Sequence, residues 1–171
     1  MSIRDEINRH LGKELSVLKP LIPSQKVGRT MFISKEINAV AHPPWAASRN
    51  GDRLAKMRAW LDAFVEGRKI SVSENPDNHP RETFMARTKP VRDQVFDIRC
   101  IEPIPGIRVF GRFVELDTFI ALTWEHREHI NGREFDRAVE RCIEQWRKLF
   151  PAEPLFSGKK LNDYLTNYYP V

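Results

Sequence analysis

Three short alternating runs, closed by one strongly periodic segment, constrain this chain more than any other feature. In residues 95–101, Phe96, Ile98 and Cys100 alternate with Val95, Asp97, Arg99 and Ile101. A period of two marks a strand with one better-buried face. Pro103, Pro105 and Gly106 then supply a turn. In residues 107–114, Ile107, Val109 and Phe113 alternate with Arg108, Phe110, Arg112 and Val114, and Gly111 marks a bulge or close approach. Glu115, Leu116 and Asp117 form a hairpin connection. Residues 118–124 return with Thr118, Ile120, Leu122 and Trp124 on one side. Asn131-Gly132 signals a turn. From about residue 134 to 150, Phe135, Ala138, Val139, Cys142, Ile143, Trp146 and Leu149 recur in steps of three and four, which specifies an amphipathic helix. The expectation is an antiparallel meander with this helix across its apolar face and the opposite face open.

The flanking segments read as attachments. Ile3, Ile7, Leu11, Leu15 and Leu18 form one helical stripe, with Ser2 as its N-cap and Pro20 as its stop. Residues 27–33 contain a short β-prone run. Pro43-Pro44 interrupts regular structure before Trp45, and the loop packs on the core or offers its indole to a base or peptide. A helix follows over residues 52–66, capped by Asn50 or Asp52, with Leu54, Met57, Leu61, Phe64 and Val65 inward. Arg53, Lys56, Asp62 and Glu66 are expected outward, and Gly67 ends the helix. Residues 69–72 and 83–88 are possible edge strands around a turn-rich loop, SENPDNHPR. The division expected is an N-terminal helical arm and Pro-rich loop at 1–50, a core at 51–150, and a tail at 151–171 docked on it.

Charge and residue types narrow the function classes. A formal net charge of +5 permits a nucleic acid, ribosomal or acidic-protein partner. Cys100 and Cys142 are the only two cysteines, and both fall at apolar positions, so buried thiols are expected rather than a zinc site or disulfide. The first ten residues are charged and carry no apolar run, and no stretch approaches a membrane span. No signal peptide, membrane association or cofactor is expected, and the cytoplasm is the expected compartment. On the open sheet face, Arg99, Arg108 and Arg112 could hold phosphates through planar forks of donors. His126 and His129 follow the last strand and could move a proton, with Arg127 between them. Such a set suits RNA transesterification: one group takes the 2′-hydroxyl proton, and cations stabilise the charge on phosphorus. The plainer reading has these arginines solvated or paired with Asp97, Glu115 or Glu125.

The runs Phe96-Asp97-Ile98-Arg99 and Ile107-Arg108-Val109-Phe110, residues 120–127, and Ala138 with its helix together resemble the RelE/ParE-type toxin superfamily, and most closely its phage-derived RelE-like branch. The resemblance spans about residues 51–150. It implies an α+β RelE-like fold: an antiparallel sheet, a three-stranded meander plus one or two edge strands, with helices packed on one face. It implies mRNA cleavage at the ribosome and an antitoxin-like protein partner. Arg108 matches the family's phosphate-binding strand arginine, and Arg127 stands where a second basic residue ends the last strand. His126-Arg127, between Glu125 and Glu128, replaces the paired lysines common there, and Phe135 is the aromatic nearest the tyrosine that some members carry. The expectation is a toxin-like RNA-acting protein, an mRNA endonuclease needing no metal. Catalysis is assigned to His126, His129 and Arg127, and phosphate binding to Arg99, Arg108 and Arg112. The alternative is a non-catalytic module of the same fold that binds a protein or nucleic acid. A small-molecule enzyme using the same face ranks behind both, because no cofactor motif supports it.

Overall fold

The computed structural model describes residues 2–171. In chain order the elements are α1 (Ile3–His10), β1 (Leu15–Val17), β2 (Thr30–Ser34), α2 (Lys35–Asn38), α3 (Arg49–Val65), β3 (Ile70–Ser73), β4 (Met85–Arg87), β5 (Phe96–Cys100), β6 (Ile107–Glu115), β7 (Thr118–His126), α4 (Arg133–Leu149) and β8 (Tyr168–Pro170). The strands form one eight-stranded mixed sheet, ordered β1-β2-β7-β6-β5-β4-β3-β8. The meander expected at β5-β6-β7 is its antiparallel centre. Around that centre, β2 pairs parallel with β7, and β3 pairs parallel with both β4 and β8. Residues 1–50 therefore supply β1 and β2, and the tail supplies β8.

The expected RelE-like sheet with helices on one face is overturned: both faces of this sheet are covered. On one side α3 lays Met57, Leu61, Phe64 and Val65 against Phe96, Ile98, Val109, Phe113, Phe119 and Ala121, with Tyr164 and Leu165 of the tail beside them. On the other, α4 packs Ala138, Val139, Cys142 and Trp146 against Phe110, Val114, Ile120, Leu122 and Val95, with Ile7 of α1 at the margin. The reason lies in β6, which alternates apolar residues on both sides. Leaving a large apolar side chain in water forgoes roughly 1.5–3 kcal/mol. Phe110 and Val114 need a helix as much as Phe113 does on the other face.

Local chemistry explains where the elements start and stop. The expected helix over residues 3–18 breaks after α1, because Gly12 takes a left-handed conformation (φ 74°) and turns the chain into β1. Leu15 then joins the α4 layer and Leu18 the α3 layer, which one helical face could not do. Helix α3 begins earlier than expected: Ser48, not Asn50 or Asp52, accepts from the Gly51 N–H at 3.1 Å. Gly67 ends it with φ 77°. Arg53 and Asp62, expected outward, are buried with partners: Arg53 with Glu128 and Asp62 with Arg58. The Cys100 and Cys142 thiols are buried and free, and burial pushes each up to about 12.

The β6-β7 register slips by one residue next to Gly111, where Phe110 pairs with Thr123 and Gly111 with Ala121. The slip overturns one expectation, since it turns Trp124 away from Ile120 and Leu122 and onto the α3 side. A Cβ at Gly111 would lie 2.1 Å from the Ile120 carbonyl oxygen, so the hairpin requires glycine here. Replacing Gly111 with valine is expected to destabilise the fold by about 3 kcal/mol or more. An unchanged urea midpoint for this variant would contradict the close approach.

Candidate anion-binding site

Buried arginine is this protein's habit, and most instances are held by several acceptors through their terminal nitrogens, although Nε of Arg29, Arg53 and Arg87 makes no hydrogen bond among the described residues. Arg29 donates to the carbonyls of Phe64, Arg68, Thr166 and Asn167, tying the tail to α3 and β2. Arg58 donates to Asp62 and to the carbonyls of Ala41 and Lys19. Arg53 donates to both carboxylate oxygens of Glu128, each at 2.7 Å, and to the Gly106 carbonyl. Arg87 lies against the Phe96 and Tyr164 rings and donates to Gln94 and to the Tyr164 hydroxyl. These guanidinium groups act as staples between layers.

The exception is at one end of the central strands, on the α4 side and just before the α4 N-terminus. Arg99 of β5 stands directly opposite Arg108 of β6, and each is only 6% exposed. Like charges directly across an antiparallel pair repel. The one buried carboxylate beside them is Asp97, whose Oδ2 lies 3.3 Å from Arg108 Nε. Arg99 donates to His79 Nδ1 at 2.9 Å and to the Pro80 carbonyl at 3.1 Å. A guanidinium can only donate, so His79 Nδ1 is an acceptor and the imidazole is neutral, with its proton on Nε2. Arg127, in the 3-10 turn after β7, completes the group, its Nη1 held by the Ile130 carbonyl and Asn131 Oδ1. These three arginines form a wall shared by two adjoining hollows of about 390 and 260 Å³. Arg81 lines the larger hollow, whereas Asp97, His79, Lys89 and Phe135 line the smaller.

The electrostatics follow from burial. Desolvation brings Arg108 down to about 10, against the pull of Asp97, so it remains a cation at neutral pH. Burial pushes the Asp97 carboxyl up from its ordinary range, even though Arg108 and Arg99 favour its ionised form. His79 is lowered by burial and by Arg99, in line with its neutral tautomer. Two buried guanidinium groups have one buried carboxylate between them. Although Glu128, Asp77 and Asp136 also line the hollows, Arg81, Arg87, Arg127 and Lys89 add to the cations there, so the walls keep an excess of positive charge, which is what an anion site requires. Among the described residues no cluster of three metal-ligating side chains occurs, and no helix is long and apolar enough to cross a membrane.

Of the expected site residues, Arg99, Arg108 and Arg127 converge here. Arg112 does not. It lies further along β6 beneath α4, 3% exposed, with its guanidinium over the Trp146 ring at 5.2 Å. His126 and His129 are not on the walls of either hollow. The register slip in β7 puts His126 on the Trp124 side, where its ring is tilted by 38° against that indole at 5.1 Å and stacks on His129 at 5.4 Å. The residues that sequence reasoning passed over are His79 and Arg81, in the loop SENPDNHPR, and Asp97, read only as a neutralising carboxylate. A histidine flanked by prolines in a long polar loop was the available signal for His79, but nothing local said that this loop reaches back to β5. Comparisons of this chain with family models, curated proteins and solved structures returned no match.

Glu128 offers a pH test of the turn that carries Arg127. Its bond with Arg53 lowers its carboxyl to about 2, below the ordinary value of 4.5. A lowered carboxyl favours the folded state above the ordinary value, and the benefit is lost as pH falls through about 2. The urea midpoint of the native protein should exceed that of the E128Q variant at pH 7, and the gap should close between 4.5 and 2. A gap that does not vary with pH would contradict the charge pairing.

Proposed function

We propose that this chain binds RNA through the Arg99-Arg108-Arg127 wall and acts on a phosphodiester held there. The observation that carries the reading is the cross-strand pair Arg99 and Arg108, both buried, sharing a single carboxylate at the edge of an open hollow. A phosphate oxyanion would supply the missing negative charge, and guanidinium forks match its geometry. The toxin-like mRNA endonuclease expected from the RelE/ParE-type resemblance fits this chemistry, with a different proton carrier from the one expected. Asp97 lines the same wall, and its raised affinity for a proton suits it to accept one from a ribose 2′-hydroxyl. The three guanidinium groups would then carry the charge that develops on phosphorus as the 2′-oxygen–phosphorus bond forms and the phosphorus–5′-oxygen bond breaks, and the proton taken up by Asp97 returns to the departing 5′-oxygen, a step that requires no metal. His79 acts as a positioning residue, since its Nδ1 is already engaged by Arg99.

Binding of a short single-stranded RNA should weaken with salt, with a slope of about −0.7 in log K against log salt for the one phosphate the wall holds. Arg127 is the least buried of the three, so R127Q tests the wall with the smallest risk to folding. It should lower affinity about tenfold and flatten the salt dependence. Binding insensitive to salt, or unchanged in R127Q, would sink the reading. End-labelled RNA incubated with the native protein should yield products ending in a 2′,3′-cyclic phosphate, and D97N should bind without cutting. RNA bound by the native protein but left intact would favour the non-catalytic binding module instead.

A further inference from the structure

The wall of three arginines faces two hollows rather than one, and the hollows differ in chemistry. The smaller holds Asp97, Asp136 and the ion pair between Lys89 and Asp77, with the neutral His79 among them. The larger shares its lining between the wall arginines and an apolar set, Ile101, Ile104 and Pro105, with Glu128 and Asn131 beside them. Ile104 is 60% exposed, an unusual place for a large aliphatic side chain beside four arginines. Its position is set from behind, because Arg49 Nη2 donates to the Ile104 carbonyl at 2.7 Å. The base of the turn is fixed as well. Gly106 accepts from the Arg127 N–H at 2.9 Å and from Arg53 Nη2 at 2.8 Å, and a Cβ there would lie 1.8 Å from the Cys100 carbonyl oxygen. The apolar surface is therefore held at a constant offset from the cationic wall.

A bare phosphate needs only the arginines. A fixed apolar shelf in the same hollow adds something only for a ligand with a flat, weakly polar group one sugar away from its phosphate. We propose that the larger hollow is a nucleobase subsite, in which Ile104 and Pro105 form the shelf for an unstacked base whose adjoining phosphate sits on the Arg99-Arg108-Arg127 wall. The inference rests on the RNA reading above and adds where the neighbouring nucleoside goes. The residue on the other side of that phosphate enters the smaller hollow, between His79 and Phe135, where its sugar meets Asp97. Two consecutive nucleosides in separate hollows cannot remain stacked on each other. A paired duplex is excluded by the same geometry, since neither base could keep its partner. The shelf is aliphatic and sequence-tolerant, because every base presents a π-face to it.

The test compares two ligands of equal charge with the full chain: a 2′-deoxy dinucleoside monophosphate, which cannot undergo 2′-hydroxyl attack, and its abasic counterpart, two deoxyriboses joined by the same phosphate. Calorimetric titration should show the native protein binding the dinucleotide about tenfold more tightly than the abasic ligand. Ile104 is exposed and contributes nothing to either core layer, so its substitution leaves the fold intact. I104A should weaken the dinucleotide about 3- to 10-fold and leave the abasic ligand unchanged. I104W should move the other way and tighten the dinucleotide, which a merely structural role for Ile104 would not produce. Equal affinity for the two ligands, or a dinucleotide affinity unmoved in both variants, overturns the subsite. If the abasic ligand then still binds and is weakened in R127Q, the phosphate wall stands without the shelf. If neither ligand binds, the subsite and the RNA reading fall together.

Discussion

A sheet covered on both faces leaves no solvated surface for the arginines its strands carry, and this constraint organises the molecule. Each buried guanidinium must find acceptors or aromatic faces inside, because a buried cation without them carries a heavy desolvation penalty. The chain meets the requirement by using arginines to join layers. Arg29 bridges the tail to α3 and β2, Arg58 joins α3 to the segment before β2 and to the loop after α2, and Arg87 is clasped by the tail's Tyr164. On the α4 side, Arg141 ties its helix to Glu36 of α2 and to Glu125 and the Trp124 carbonyl of β7. The tail is part of this scheme and not an ornament. It supplies β8 at the sheet edge and the Tyr164 hydroxyl, which accepts from Arg87 and, in its buried position, also contacts Gln94 and Gly158.

Against that background the Arg99-Arg108 pair stands out by its deficit. A fold that supplies Arg29 with four carbonyls gives Arg99 only His79 and the Pro80 carbonyl and leaves Asp97 as the one buried carboxylate beside two opposed arginines, where two hollows adjoin. Arg112 shows the opposite solution on the same strand. It is equally short of carboxylates but shut beneath α4 against the Trp146 ring, with no hollow for a ligand to enter. Position along β6, more than residue type, separates a structural arginine from a candidate binding one. The loop carrying His79 and Arg81 and the turn carrying Arg127 come from distant parts of the chain, and both approach the same end of β5 and β6. The electrostatic character of the site therefore arises from three segments, none of which carries it alone.

Much of the fold could be read in the order of the residues. The β5-β6-β7 meander, the bulge at Gly111, the hairpin at residues 115–117 and the α4 stripe all follow from local periodicity and turn chemistry, and they appear close to where these place them. Arg108 and Arg112 were legible as sharing one face for the same reason, whereas the cross-strand pairing of Arg99 with Arg108 was not. What misled was the second face of β6. Arg108, Phe110, Arg112 and Val114 mix charge with apolar bulk, and the charges read as solvated, whereas Phe110 and Val114 decided the matter by drawing α4 over them.

The sequence by itself determined which residues could alternate, where the chain must turn, and which helix faces were apolar, because backbone sterics and hydrophobic period act over a few residues. Only the tertiary structure decided that α3 and α4 cover opposite faces, that β2 and β8 extend the sheet in parallel, and that His126 turns toward Trp124 while His79 reaches Arg99. Those outcomes depend on which segments far apart in the chain can bury surface together and satisfy each other's polar groups. A one-residue slip at Gly111 is enough to move a side chain from one face to the other.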